Sequence, residues 1–207
     1  MLRVVRVVSG AAFSAALCLA AAPAWAGAPV LSDPLTNWPL NFGAQGTMVH
    51  MENGALHITA PANGSGWVTY NGFNFTDMDA SVTVTPNNST GNAFGLLFWS
   101  TGPDDFFDFW ASDVSGSFGV AKYASTPAPH WETIVPSTKT SLVKPNAPNT
   151  LRVLTKGNYV TLYINGQTTG SLSLPAPQGG GAVGIEGEGS AKGASDYTVS
   201  NLSVSQP

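Results

Sequence analysis

Thr150–Leu174, TLRVLTKGNYVTLYINGQTTGSLSL, is the stretch that decides the fold. Leu151 and Val153 alternate with Arg152, and Val160, Leu162 and Ile164 alternate with Tyr159, Thr161 and Tyr163. A period of two gives each strand one face towards a core and one towards water. Lys156-Gly157-Asn158 closes a first turn. Asn165-Gly166 closes a second, because both residues tolerate the positive φ of a type I′ hairpin. The stretch reads as three antiparallel strands joined by two tight turns.

The same pattern recurs on both sides. Met48–Met51 and Ala55–Thr59 flank Glu52-Asn53-Gly54 as a hairpin. Trp67–Tyr70, Ala80–Val84, Ala93–Trp99, Phe106–Ser112 and Ser117–Tyr123 follow, then a loop around His130. Ala182–Glu186 and Thr198–Val204 close the series. Thr126-Pro127-Ala128-Pro129 and Pro145-Asn146-Ala147-Pro148 read as loops between strands. No repeat, long linker or helical periodicity occurs. About a dozen short strands separated by turn signals predict an all-β fold, a two-sheet antiparallel β-sandwich of the jelly-roll kind.

The first 26 residues stand apart. Arg3 and Arg6 precede an apolar run from about Ala11 to Ala22, and Ala24-Trp25-Ala26 fits a small-x-small cleavage site. We expect a signal peptide over 1–26, cleavage near Ala26, and export to the periplasm or medium. The run is too short for a stable membrane span. Residues 27–207 then form one domain, long enough for a substantial core. The single cysteine, Cys18, leaves with the signal, so burial must hold the exported chain together without disulfides. Losing Arg3 and Arg6 leaves 6 basic residues against 12 acidic ones. Those six are scattered, which excludes a nucleic-acid groove and an anionic membrane surface.

The order AFGLLFWS (Ala93–Ser100), FFDFWAS (Phe106–Ser112), GSFGVAKY (Gly116–Tyr123), the Thr150–Leu174 stretch, GGAVGIEGEG (Gly180–Gly189) and YTVSNLSVS (Tyr197–Ser205) resembles the concanavalin A-like lectin/glucanase superfamily. It is similar to the laminin-G-like and glucanase-related bacterial branches. Tyr197, Val199, Asn201 and Leu202 occupy the closing pattern of such domains, and the resemblance runs from about Leu31 to Val204. It implies fold more than function, since members include lectins, glycosidases, polysaccharide lyases and adhesion modules.

Phe106–Ala111 carries the candidate binding face. Phe107, Phe109 and Ala111 share one side of a strand; Phe106, Asp108 and Trp110 share the other. An unpaired buried carboxylate is costly, so the side bearing Asp108 is expected to face water. Gly119, Ala121 and Tyr123 fall beside it, and Trp99 extends the surface from the preceding strand. Trp99, Phe106, Asp108, Trp110 and Tyr123 are therefore the candidate ligand-binding residues. Rings stack on the C–H faces of a sugar while a few polar groups bond its hydroxyls. The competing reading, aromatics in the core, stays open.

Glu186 and Glu188 are the candidate catalytic carboxylates, about 6.5–7 Å apart on one strand face. Glycoside hydrolysis uses carboxyl pairs at about 5–5.5 Å or 6.5–9.5 Å. The resemblance, however, implies a longer E-x-D-x-E run, which this chain lacks, so two solvated acids is the preferred reading. His130 is a further candidate at the rim; with Tyr163 and Arg152 it forms the one set a lyase could use. No cofactor is required. A structural Ca²⁺ is the one candidate metal, held by Asp104 and Asp105 or, as the resemblance implies, by Asp33 and Asp196 near the chain ends. His50, His57 and His130 form no metal motif. The leading expectation is an exported, non-catalytic domain whose partner is a glycan. The alternatives are a glycosidase or lyase of the same fold, and a structural adhesion or assembly module.

Overall fold

The computed structural model describes residues 29–36, 48–88 and 90–207; the expected signal segment, with Cys18 and the cleavage site near Ala26, lies outside them. The described residues form 14 strands and two sheets. The larger sheet is built from β1 (Pro29–Asp33), β2 (Val49–Glu52), β3 (Ala55–Ala60), β5 (Asp79–Pro86), β10 (Asn149–Lys156), β11 (Tyr159–Ile164), β12 (Gln167–Ser173) and β14 (Ser195–Ser205). Its order is β12-β11-β10-β5-β14-β3-β2, with β1 also paired to β14. The smaller sheet holds β4 (Ser65–Phe75), β6 (Gly91–Gly102), β7 (Asp105–Ser112), β8 (Ser117–Ala124), β9 (His130–Lys139) and β13 (Gly181–Gly189), in the order β4-β13-β6-β7-β8-β9. All pairs are antiparallel. The expected two-layer β-sandwich is what the chain forms.

The hairpins close as the turn chemistry requires. β10 and β11 are in register from Leu151 opposite Ile164 to Lys156 opposite Tyr159. Asn165 and Gly166 both have positive φ, 51° and 79°, as do Asn53 (51°) and Gly54 (77°) between β2 and β3. Type I′ turns demand this geometry, which Asn and Gly supply with little strain. Asn165 is further fixed by its side chain, which accepts from the Thr150 amide and donates to the Leu142 carbonyl.

The core lies between the sheets. Val82, Val84, Leu151, Val153, Leu162, Ile164 and Val199 from the larger sheet meet Phe94, Leu96, Phe98, Phe107, Phe109, Val120 and Ile185 from the smaller one. Burying such apolar surface is the main favourable term in folding. The phase of every strand in the smaller sheet follows from this packing. Ile185 faces Leu96 across the β13–β6 pair, and Leu96 faces Phe109 across β6–β7, all pointing inward. The next residue along each strand therefore points to the outer face.

Two expectations are corrected here. The segment around His130 is not a loop but β9, an edge strand, exposed along most of its length. Trp99 is not on the surface; it is 1% exposed and packed on Phe98 and Phe107. Its φ is +51°, and the β6–β7 register shifts between Phe98 and Gly102. A bulge breaks the two-residue alternation, so Phe98 and Trp99 both enter the core. The indole N–H donates to the Thr76 carbonyl at 3.0 Å, which satisfies its one buried polar group.

Candidate functional site

The outer face of the smaller sheet can be built row by row from the ladder. One row runs Trp67 (β4), Glu186 (β13), Gly95 (β6), Trp110 (β7), Gly119 (β8). The next runs Thr69, Gly184, Leu97, Asp108, Ala121, Thr133 across the same strands and on to β9. On the other side of the Glu186 row lie Ser65, Glu188 and Ala93. The period-two reading of β7 thus gives the correct phase: Phe107, Phe109 and Ala111 belong to the core, and Asp108 and Trp110 face outward.

Two glycines shape this face. A Cβ on Gly119 would lie 2.4 Å from the Trp110 ring, so the glycine lets the indole lie flat over β8. A Cβ on Gly95 would meet Asp108 Oδ1 at 2.0 Å, so the gap at Gly95 is where the Asp108 carboxyl reaches across β6 towards Glu186.

The two carboxyl groups are buried, against the expectation of a water-facing Asp108 and a solvated Glu186. Each is 2% exposed. Burial, and then the neighbouring Glu186, hold the Asp108 carboxyl well above the usual carboxylate range. Burial pushes Glu186 up to about 7, despite the opposing effect of the neighbouring Asp108 carboxyl. Asp108 Oδ1 and Glu186 Oε1 are both buried and find no donor among the described residues. Two ionised carboxylates are acceptors only, so they satisfy one another when one carries a proton. The pair is a buried acid dyad under the open surface, and burial raises the affinity of both carboxyls for a proton. Glu188 differs: it is half-buried, its Oε2 accepts from Asn92 Nδ2 at 2.7 Å, and its Oε1 accepts from Ser65 Oγ at 3.4 Å.

Beside this dyad is a recess of about 450 Å³. Trp110, Trp131, Asp108, Ala121, Asn92 and Glu188 line it, with Ser115, Ser117 and Ser137 bonded together at one side. The volume is that of an ordinary small-molecule site, and the mix of two indoles with a few polar groups is its usual lining. Phe106 and Tyr123 do not line the recess. Phe106 is 2% exposed, sealed by Trp67, Tyr123 and Trp131 at ring separations of 5.6, 5.5 and 5.8 Å. Trp67 also touches Tyr123 at 5.2 Å and donates its indole N–H to the Pro103 carbonyl at 2.8 Å. These rings form a buttress behind Trp131, which is 41% exposed.

Asn92 in the recess and Trp67 in the ring cluster behind it were not among the residues expected at the site, and Trp131 was expected only within a segment, His130-Trp131-Glu132, that could edge it. Trp67 had a usable signal, since it precedes the inward Val68 in a period-two strand. For Trp131 no strand face could be assigned, because β9 carries no apolar alternation.

The other candidates are not brought together. Asp33 lies opposite Leu202, six residues along β14 from Asp196, which is about 20 Å of strand. Asp33 accepts from the Leu35 amide, and Asp196 bonds His57 and Asn87. Asp105 accepts from the Ser125 amide and hydroxyl. Asp104 sits in the turn before β7. Among the described residues, no group of three or more His, Cys, Asp or Glu is arranged to hold a metal ion. His130 is exposed, bonded to the Ala128 carbonyl and not part of the recess. Arg152 is paired with Asp79 at 2.6 Å and lies over Tyr163 on the other sheet. The lyase set of His130, Tyr163 and Arg152 is therefore split between the two sheets.

No family model matches the chain, and neither does any curated protein sequence. Solved structures do. The carbohydrate-binding module CBM66 from Bacillus subtilis superposes with a TM-score of 0.64 at 11% identity, over 79% of this chain and 94% of that one. The β-glucanase of Bacillus licheniformis gives 0.58 at 13% identity, over 86% and 97%. The laminarinase catalytic domain from Thermotoga maritima gives 0.57 at 10% identity, over 87% and 98%. The chain has the concanavalin A-like jelly-roll fold.

Proposed function

We propose that this protein binds a glycan without cleaving it, in the recess between Trp110, Trp131 and Glu188. The observation that carries the reading is the lining itself: two indoles beside a carboxylate and an amide, on the outer face of a sheet. Sugar rings stack on Trp110 and Trp131, and Glu188 and Asn92 accept and donate hydrogen bonds to hydroxyls. The likeness to a carbohydrate-binding module, a β-glucanase and a laminarinase is in keeping with a glycan partner. Against cleavage stands the burial of Asp108 and Glu186. Hydrolysis needs two carboxyl groups that reach the scissile bond, and here Glu188 alone of the three is more than marginally exposed.

The test is calorimetric titration with a panel of polysaccharides and oligosaccharides, paired with an assay for released reducing ends. Binding without release, weakened at least tenfold in Trp131→Ala with the fold retained and the melting temperature lowered by no more than a few degrees, is the expected result. Release of reducing ends that disappears in Glu186→Gln would transfer the case to a glycosidase. A panel without a single binder would remove the reading.

A further inference from the structure

A second recess of about 270 Å³ adjoins the first. Asn63, Ser65, Ser190 and Ala191 line it, and it shares Asn92 and Glu188 with its neighbour. The ladder explains the continuity. Ser65, Glu188 and Ala93 stand side by side on β4, β13 and β6, so Glu188 forms a saddle with one recess on each side. The Asn92–Glu188 hydrogen bond crosses that saddle. From Ala121 on β8 to Ser65 on β4 is four strand spacings, about 19 Å. That is longer than one sugar ring.

The lining chemistry is asymmetric. The first recess has the indoles; among the described residues, the second has amide and hydroxyl side chains and no ring. Among the described residues, no Lys, Arg or His lines either one. The Lys139 ammonium is tied to the Ser115 carbonyl, and Lys192 is on the exposed turn after Ala191. Asp108 is on the floor of the first recess, and the Glu188 carboxylate is common to both. A uronate or sulfate group would meet a like charge and find no partner inside, whereas an uncharged hydroxyl meets acceptors and amide donors.

Resting on the glycan-binding reading, we propose that the ligand is an uncharged glycan of at least two sugar units, laid across the strands from the indole recess over the Asn92–Glu188 saddle into the polar recess at Ser65 and Ala191. The indole recess takes one unit by stacking, and the polar recess takes the next by hydrogen bonds alone. Selectivity against acidic glycans comes from Glu188.

The experiment is titration of the whole protein with neutral gluco-, manno- and fructo-oligosaccharides from one to four units, and with oligogalacturonides of the same lengths. Affinity in the neutral series that binds should rise at least tenfold between one unit and two or more. Oligogalacturonides should bind at least tenfold more weakly than neutral chains of equal length. Ala191→Phe fills the second recess from an exposed turn and should bring the tetramer-to-monomer affinity ratio towards one. Glu188→Gln keeps an acceptor for Asn92 but drops the charge, and should narrow the neutral-to-acidic ratio. Equal affinity for one unit and four, or tighter binding of the uronates, overturns this inference and leaves glycan binding standing. No binding by any of these sugars removes both.

Discussion

Raising the pH from 5 to 8 should destabilise this fold through the buried Asp108–Glu186 pair. Glu186 rises from the ordinary 4.5 to about 7 on folding, and burial is the largest cause. The folded state therefore holds a proton that the unfolded chain releases. Stability from this source is complete below about pH 4.5 and lost as the pH climbs through 7, with Asp108 acting in the same direction. At about 1.4 kcal/mol per pH unit, the loss from Glu186 is about 3 kcal/mol. For a domain of this size that corresponds to roughly 10 °C in melting temperature. Thermal and urea melts at fixed ionic strength, from pH 5 to 8, read it directly. Asp108→Asn supplies an amide donor in place of the shared proton, so Glu186 can ionise with a partner and the slope should flatten. Titrating groups common to both proteins cancel in that comparison. A parent protein with flat stability across the window, or an Asp108→Asn variant with an undiminished slope, would refute the dyad.

Two further perturbations separate structural from surface roles. Trp99→Ala should cost about 3–5 kcal/mol, as expected for a large aromatic removed from a packed core, whereas Trp131→Ala on the edge strand loses only its packing on Phe106 and Tyr123 and should cost about 1 kcal/mol in urea melts. Arg152→Ala leaves Asp79, 8% exposed, without its bidentate partner and should cost about 2 kcal/mol in urea melts.

The parts of the molecule that were legible in sequence are those governed by nearest neighbours along the chain. Asn165-Gly166 and Asn53-Gly54 specify their own turns, and alternating Leu151, Val153, Val160 and Leu162 specify their faces, because both rules act over a few residues. The phase of β7 was legible for the same reason. Trp99 was not, since a positive φ at one residue reverses the alternation without any cue in composition. β9 was not, because an edge strand exposed on most positions needs no apolar period, and Pro136 within it argues against a strand. The dyad was not, because its partners stand 78 residues apart in sequence and meet only through the space above Gly95.

Asp108 points outward and is nonetheless buried. A lone buried carboxylate is costly, which fixed the strand phase correctly. Facing outward is a property of a strand, however, while exposure depends on what covers the face. Here Trp110, lying flat over Gly119, and Trp131, backed by the rings of Phe106 and Tyr123, raise the walls of the recess and leave Asp108 at its base with Glu186 beside it. Once two carboxyls are adjacent and dry, a shared proton costs less than two unpaired charges, so the dyad stays neutral enough to remain buried. The surface above it then keeps one accessible carboxylate, Glu188. That division, one accessible acid and two committed to one another beneath it, is what supports the proposal that the recess holds a sugar without breaking a glycosidic bond.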